Sequence, residues 1–490
     1  MSAPTSAGRR LATSFLHFLG GQGLSVLLGL ISFPILTRML PQSDYGVLGL
    51  ATAMAAVGVT LAKGGISEAV VRFCAQSSVD PDRFRTFAST VMARVLMSAV
   101  PIALLAAAAA YLLTRNRSAG SGAIVFVLMS LYVLPRTVSV VTTNFLRAMG
   151  HSLAWSITTL ASKTLSLLVS VGAMLLVAAT VTNYSIGYLL AEVVTALALI
   201  AWLMRRADIR RWQYSSELAA SMTKFGLPFM IYELANGSLE YLDRWMLAFW
   251  HGEATVAVYS VAASIPGYVA DIALYSVAFA AVPIYTDLYE RSGAEATRAL
   301  LSNALRLYSG VAIMGVACYW LISQDLIVFL ASEKYREAGG LSPVILLGKI
   351  FLGLNPLLYA GMYVATRSSA MTATVIITAI ANLLLNLALI PRFGALGAGI
   401  AISAASWVLL LSSALLSRKY LALNIDWRAI LIYLAAAAVI ALAVGQIDLH
   451  ATLPNLLVRG TLAGVLAAGV LMVRERTFVR QLLSLYKPRR

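Results

Sequence analysis

Charge is what this sequence has least of. Only 12% of its 490 residues are charged, while 60% are hydrophobic; a soluble domain carries about 25% charged residues. That shortage excludes an ordinary water-soluble fold, and the mean hydropathy of +0.82 agrees. Cysteine is nearly missing too. Cys74 and Cys318 stand far apart, with no Cys or His at ligand spacing, so neither a disulfide nor a metal site is expected. The four histidines, His17, His151, His251 and His450, are scattered and form no base–nucleophile pair. Runs of alternating polarity are missing as well, which argues against a membrane β-barrel. No loop is long enough to fold as a soluble domain on either face.

What the chain has in plenty is apolar runs of about 20 residues, the length that crosses a ~30 Å hydrocarbon core at 1.5 Å per helical residue. They predict an all-α polytopic membrane protein with spans near 15–37, 45–62, 88–113, 123–143, 152–178, 184–204, 225–249, 255–288, 304–330, 344–365, 371–390, 395–416, 429–447 and 454–473. The first follows Arg9 and Arg10. It is too long for a signal-peptide core and lacks a cleavage site, so an uncleaved span is expected. Pro266-Gly267 and Pro283 are expected to bend the long eighth run, or its end leaves the membrane, and "KGGISEAVVRF" from Lys63 reads as a kinked extension of span two. The formal charge of +16 is read as loop charge that fixes topology, not as a nucleic-acid footprint. With both termini inside, about 25 basic residues fall on inner segments against about 7 outside: Arg38, Arg115, Arg117, Arg244, Lys334, Arg336 and Arg392. The longest linker, residues 205–224, is basic with interspersed apolar residues and suits the inner membrane surface.

The two halves echo each other. "LTRMLPQSDYGVLGLATA" from Leu36 parallels "LDRWMLAFWHGEATVAVYSVAAS" from Leu242, and "FLRAMGHS" from Phe145 parallels "VATRSSAM" from Val364. This predicts two pseudo-symmetric six-helix lobes, residues 1–204 and 225–420, joined by the linker 205–224. Residues 421–490 would supply two additional spans and a basic cytoplasmic tail. Paired bundles around a cleft suit alternating access.

Three stretches carry a family resemblance: "FPILTRMLPQSDYGVLGL", the "GLPFMIYE…LDRWML" helix followed by "VAVYSVAASIP", and "NLLLNLALIPRFGALGAGIAISAAS". They resemble the polysaccharide transporters of the multidrug/oligosaccharidyl-lipid/polysaccharide superfamily, the group that includes Wzx-type flippases, over about residues 12 to 420. The resemblance implies two six-helix bundles around a central cavity and transbilayer movement of a polyprenyl-pyrophosphate-linked oligosaccharide. The peptidoglycan-precursor branch places cavity charge in its first span. This chain has none between Arg10 and Arg38, which favours an O-antigen, capsule or exopolysaccharide repeat unit.

A charge at the centre of a spanning helix costs roughly 2.5–3.5 kcal/mol, so it must face protein or water. Arg94, Lys349 and Arg459 lie near span ends and can snorkel. Arg136 and Lys163 sit well inside spans four and five. Together with Arg147 they are candidates for binding a pyrophosphate; the alternative is a structural pair with Glu192. In span seven, Glu233, Asn236, Glu240 and Asp243-Arg244 form one polar stripe opposite Phe229, Ile231, Leu234, Leu242 and Trp245. Glu233, Glu240, Asp271 and Glu192 are candidate coupling-ion groups for H+ or Na+, or else helix-capping carboxylates. Asp243, Arg244 and Arg38 are read as a gate or structural set. Tyr232, Tyr241, Trp245, Trp250, Tyr259, Tyr268, Tyr275 and Tyr285 could stack on sugar rings, with helix packing and an interfacial belt as the other reading.

The sequence thus predicts a non-enzymatic flippase of the bacterial cytoplasmic membrane, working with membrane lipids and with glycan polymerase machinery, without cofactor, metal or nucleic acid. A multidrug/cation antiporter of the same superfamily is the alternative. Its cationic cargo favours an acidic cavity, whereas the N-terminal half is basic inside. A glycan polymerase or ligase would need a large external loop, which is not there.

Overall fold

Fourteen helices, with no strand among the described residues, make up the computed structural model of the chain. The structure describes residues 4–77, 80–114, 121–209, 212–449 and 451–475, of which 4–19, 22, 75, 113–114, 121 and 272–280 are described by backbone alone. Arg115, Arg117, Arg210, Arg211, His450 and the basic tail after Glu475 therefore lie outside the described residues, as do the side chains of Arg9, Arg10, His17 and Tyr275. In chain order the helices are α1 (Pro4–Met39), α2 (Gln42–Lys63), α3 (Ile66–Ser77), α4 (Pro81–Thr114), α5 (Ser121–Ala148), α6 (Ser152–Leu176), α7 (Val181–Arg206), α8 (Ser216–His251), α9 (Glu253–Ala331), α10 (Arg336–Leu358), α11 (Ala360–Val364), α12 (Ser368–Arg418), α13 (Trp427–Gly445) and α14 (Thr452–Arg474). Among the described residues, ten segments are long and apolar enough to cross a bilayer, and the chain is a multi-pass membrane protein.

Local chemistry sets the boundaries. Side chains of Thr180, Ser215 and Asp426 cap α7, α8 and α13 by accepting from the amides of Asn183, Leu218 and Ala429. Gly64 ends α2 in the left-handed region, with φ of 50°. α9 and α12 each hold two helices: the chain runs on through Pro266 and Pro283, and the breaks fall at Gly293 and Gly394, whose backbones are non-helical. Cys74 and Cys318 are both free thiols.

The chain divides into two compact units, Met1–Ala257 and Val258–Arg490. α8, expected to open the second lobe, packs on α2, α3 and α4. The N-terminal compact unit therefore extends past the 205–224 linker and ends within α9. Glycines permit this docking. A Cβ at Gly65 would overlap the Gly226 carbonyl, so α8 lies backbone to backbone against the α2–α3 junction, and one at Gly46 would overlap the Glu253 carbonyl, where α9 begins.

Within the N-terminal unit α5 is central, packing on α2, α3, α4, α6 and α7. Two apolar cores lie along it. One gathers Val125, Met129 and Val133 with Leu48, Ala55 and Ala62 of α2 and Val181 of α7. The other gathers Val138, Val141 and Phe145 with Ile66 and Val70 of α3, Val91 of α4 and Leu203 of α7. Lys63, Arg136 and Glu192 each fall in the sequence gap between the two cores.

Candidate functional site

That gap is a charged layer. Ser130 lies 4.0 Å from the Met54 sulfur, and Val133 packs on Gly58, so α2 and α5 run parallel in register. One turn further on, Arg136 is level with Leu61, and Lys63 is about 3 Å beyond it. α5 and α7 are parallel as well. Tyr132 stacks on Tyr188 at 4.9 Å between ring centres, and one turn on, Arg136 Nη1 approaches Glu192 Oε1 at 3.5 Å. Gly187 of α7 abuts the backbone at Ser170 of α6. Counting back along antiparallel α6 puts Lys163 level with Val194, about 3 Å from the level of Glu192. Three cations on three helices thus share one depth.

Arg136 and Lys63 are paired with carboxylates. Glu192 is buried at 2% exposure, whereas Arg136 keeps 37% of its side chain open. Lys63 Nζ meets Glu233 Oε1 at 2.5 Å, with the asymmetry reversed: Lys63 is 13% exposed and Glu233 41%. Each pairing offsets the cost of a lone charge among spanning helices. The Arg136–Glu192 pairing is the one the sequence left open as structural. Lys163 is exposed, on the helix face that also carries Ser156 and Ser170. Tyr184 extends the ring column, stacked on Tyr188 at 5.9 Å.

The remaining sequence candidates are dispersed. Arg147 is exposed in the last turn of α5, about 16 Å along the axis from Arg136. Glu240 and Arg38 are exposed, each with an interaction partner, as is Asp271 in the second unit. Asp243 is buried and accepts from the Arg244 amide at 2.8 Å, while the Arg244 guanidinium lies over the Tyr241 ring. Arg459 is held by Asp325 at 3.6 Å and donates to the Ile447 carbonyl. Of the expected sugar-stacking rings, Tyr259 and Tyr285 are buried, Tyr285 against Tyr363, while Trp245 packs on Phe126. Packing accounts for these three.

The second unit contains a different feature. An apolar cavity of about 700 Å³ lies among α9, α10, α12 and α13, lined by residues that include Trp320, Phe351, Leu354, Trp407, Ala414 and Trp427. Its walls carry no charge, which suits hydrocarbon. No cluster of metal-ligating side chains occurs among the described residues.

A family model described as "Polysaccharide biosynthesis protein" matches residues 11–289, more than half of the chain. The chain belongs to this polysaccharide biosynthesis protein family. A 188-residue stretch is 26% identical to an uncharacterized membrane protein of Methanocaldococcus jannaschii, covering 38% of this chain and 37% of that protein. The chain thus matches little more than a third of that curated relative's length. Among solved structures, lipid II flippase MurJ in an inward closed conformation superposes with a TM-score of 0.74 at 12% identity, covering 94% of this chain and 98% of that one. An inward-facing multidrug resistance MATE family transporter of the MOP superfamily superposes with a TM-score of 0.66 at 17% identity, covering 81% and 94%. At these identities the likeness is one of fold. This family member therefore has the all-helical fold of the MOP-superfamily transporters.

Sequence reasoning missed two features of this family member. Lys63 was not named as a site residue, although the stretch it opens, "KGGISEAVVRF", was read as a kinked extension of span two. The tyrosine column was missed as well. Its signal is the four-residue step from Tyr132 to Arg136 repeated from Tyr188 to Glu192, which places ring over ring and charge beside charge on paired helices.

Proposed function

We propose that this protein is a flippase that moves a polyprenyl-pyrophosphate-linked oligosaccharide repeat unit, of the O-antigen, capsule or exopolysaccharide kind, from the inner to the outer leaflet of the bacterial cytoplasmic membrane. The observation that carries this reading is the layer of Arg136, Lys63 and Lys163 inside the N-terminal unit. A diphosphate is the strongly charged part of such a lipid. Arg supplies a planar donor fork and Lys a compact charge, both at one depth. Family membership and the transporter fold support the same reading, and the apolar cavity of the second unit suits an isoprenoid chain.

In this scheme both termini are cytoplasmic, the two sequence lobes alternate in exposing the headgroup site, and the exported unit passes to a glycan polymerase. Export moves an anionic headgroup down the membrane potential, which is worth ~2.3 kcal/mol per charge per 100 mV. Coupling to an inward H+ or Na+ would act in the same sense through exposed carboxylates such as Glu240 and Asp271. The experiment is a deletion strain scored for lipid-linked oligosaccharide on each leaflet. Accumulation on the inner leaflet, relieved by the wild-type gene and not by Arg136→Ala, is the expected result. Unchanged leaflet distribution in the deletion strain would refute the reading.

A further inference from the structure

We propose that Glu192 and Glu233 are stand-in anions: they occupy Arg136 and Lys63 while the headgroup site is empty, and an incoming diphosphate displaces both. This rests on the diphosphate reading above and goes further, by assigning Lys63 to the binding site and a selective role to the two carboxylates.

The geometry argues for displacement over permanent pairing. Arg136 and Glu192 are 3.5 Å apart, and the buried Glu192 Oε1 makes no hydrogen bond. A charge-assisted guanidinium contact closes to about 2.7–2.9 Å with aligned donors, so the Arg136–Glu192 pair is loosely made and leaves donors that a phosphoryl oxygen can take up. Its approach is open, because Arg136 is the exposed member of that pair. In the second pair the exposed member is Glu233, which can swing away on α8 and leave the nearly buried Lys63 to the ligand. The two pairs lie at one depth on different helices, so a ligand with two anionic groups can replace both carboxylates, while one with a single phosphoryl group replaces one. The pairing also neutralises Arg136 and Lys63 while no ligand is bound, which lowers the cost of two cations among spanning helices.

Other charged and titratable groups lie on the helices around the two pairs. Beside Glu192 are Arg136 and Tyr132 on α5, Tyr188 on its own helix and the level of Lys163 on α6. Against α8 near Glu233, α2 brings Lys63, α3 carries Glu68 and Arg72, and α4 carries Arg94. The structure pairs Glu233 with Lys63.

The test is calorimetric titration of the purified full chain in detergent with inorganic pyrophosphate and with orthophosphate. Removing a competitor tightens binding, so Glu233→Gln and Glu192→Gln are each expected to bind pyrophosphate roughly tenfold more tightly, one 1.4 kcal/mol step. Glu233→Asp and Glu192→Asp, which keep the charge, are expected to stay near wild type. A merely structural carboxylate gives no gain in affinity on removal. Should Glu192→Gln fail to fold, Glu233→Gln decides alone, since its side chain is 41% exposed. Orthophosphate is expected to bind at least about tenfold more weakly than pyrophosphate to the wild type; equal affinities would overturn two-point displacement. Wild-type binding of pyrophosphate with no tightening in either Gln variant would overturn the stand-in role and leave the diphosphate site standing. A wild type that binds no pyrophosphate would bring down the diphosphate reading itself, and the stand-in role with it.

Discussion

The two compact units use their few charges in opposite ways. In the N-terminal unit, Arg136, Lys63 and Glu192 lie between two apolar cores, in the middle of the packing. In the second unit the ion pairs stand at helix ends. Arg306 Nη2 and the Tyr433 hydroxyl both donate to Glu475, at 2.9 and 2.6 Å, just past the end of α14. Arg459 meets Asp325 near the other end of α14. The second unit also holds an uncharged, partly open cavity. A charge at a helix end can reach polar surroundings and serve as a staple; one between cores must be matched by a partner or a ligand. In the proposed function, this contrast assigns the headgroup to the first unit and the hydrocarbon to the second.

Substitutions can break that comparison or sharpen it. The largest effect is expected where backbones touch. Gly226→Val places a branched side chain against the Gly65 carbonyl and should cost about 3 kcal/mol or more. A fall in thermal melting and loss of monodisperse protein would show it; a well-behaved variant would mean that α8 docks elsewhere. Next comes the contrast of charges. Arg136→Ala should lower transport per folded molecule about a hundredfold, or roughly 2–3 kcal/mol, with Arg136→Lys recovering part. Arg306→Met should lower stability by about 1–3 kcal/mol while transport per folded molecule stays unchanged. If Arg306→Met stops transport and Arg136→Ala does not, the assignment of roles is reversed.

The third test fills the cavity. Ala414→Trp should slow transport of a long isoprenoid substrate several-fold and leave pyrophosphate binding unaffected, which a paired transport and titration assay reads out. The smallest effect is expected at Tyr132→Phe. Its hydroxyl only reaches 3.5 Å from that of Tyr188, so removal should change stability by less than about 0.5 kcal/mol, measurable as a melting shift of a degree or so. A larger loss would make the column part of the binding site.

Much of the fold was legible beforehand. The long apolar runs, the short connections and the turn residues gave an all-helical membrane protein, and the quoted motifs pointed to its family. On α8, Glu233, named beforehand as a candidate carboxylate, meets Lys63 of α2. Less legible was where helical backbone is interrupted. Pro266 and Pro283 stay inside a helix, because neighbouring helices tolerate a missing amide, whereas Gly293 takes a positive φ that other residues avoid. The site was legible only in part. Arg136 and Glu192 were both named, but a linear pattern gave no reason to prefer one pairing over another, and Lys63, at the end of an apolar run, was not offered as a site residue.

By itself, the sequence determined that this chain lives in a bilayer as a series of helices and that a handful of charges must be sheltered there. Those are local properties, set by hydrophobic length and by the high cost of desolvating charge. Which charges meet was decided by the tertiary structure alone. The rotation and sliding of α2, α5, α6, α7 and α8 against one another, fixed by glycine contacts such as Gly58–Val133 and Gly187–Ser170, bring residues 63, 136, 163, 192 and 233 to one level. A shift of one helical turn, about 5.4 Å, would leave every span intact and dissolve the site.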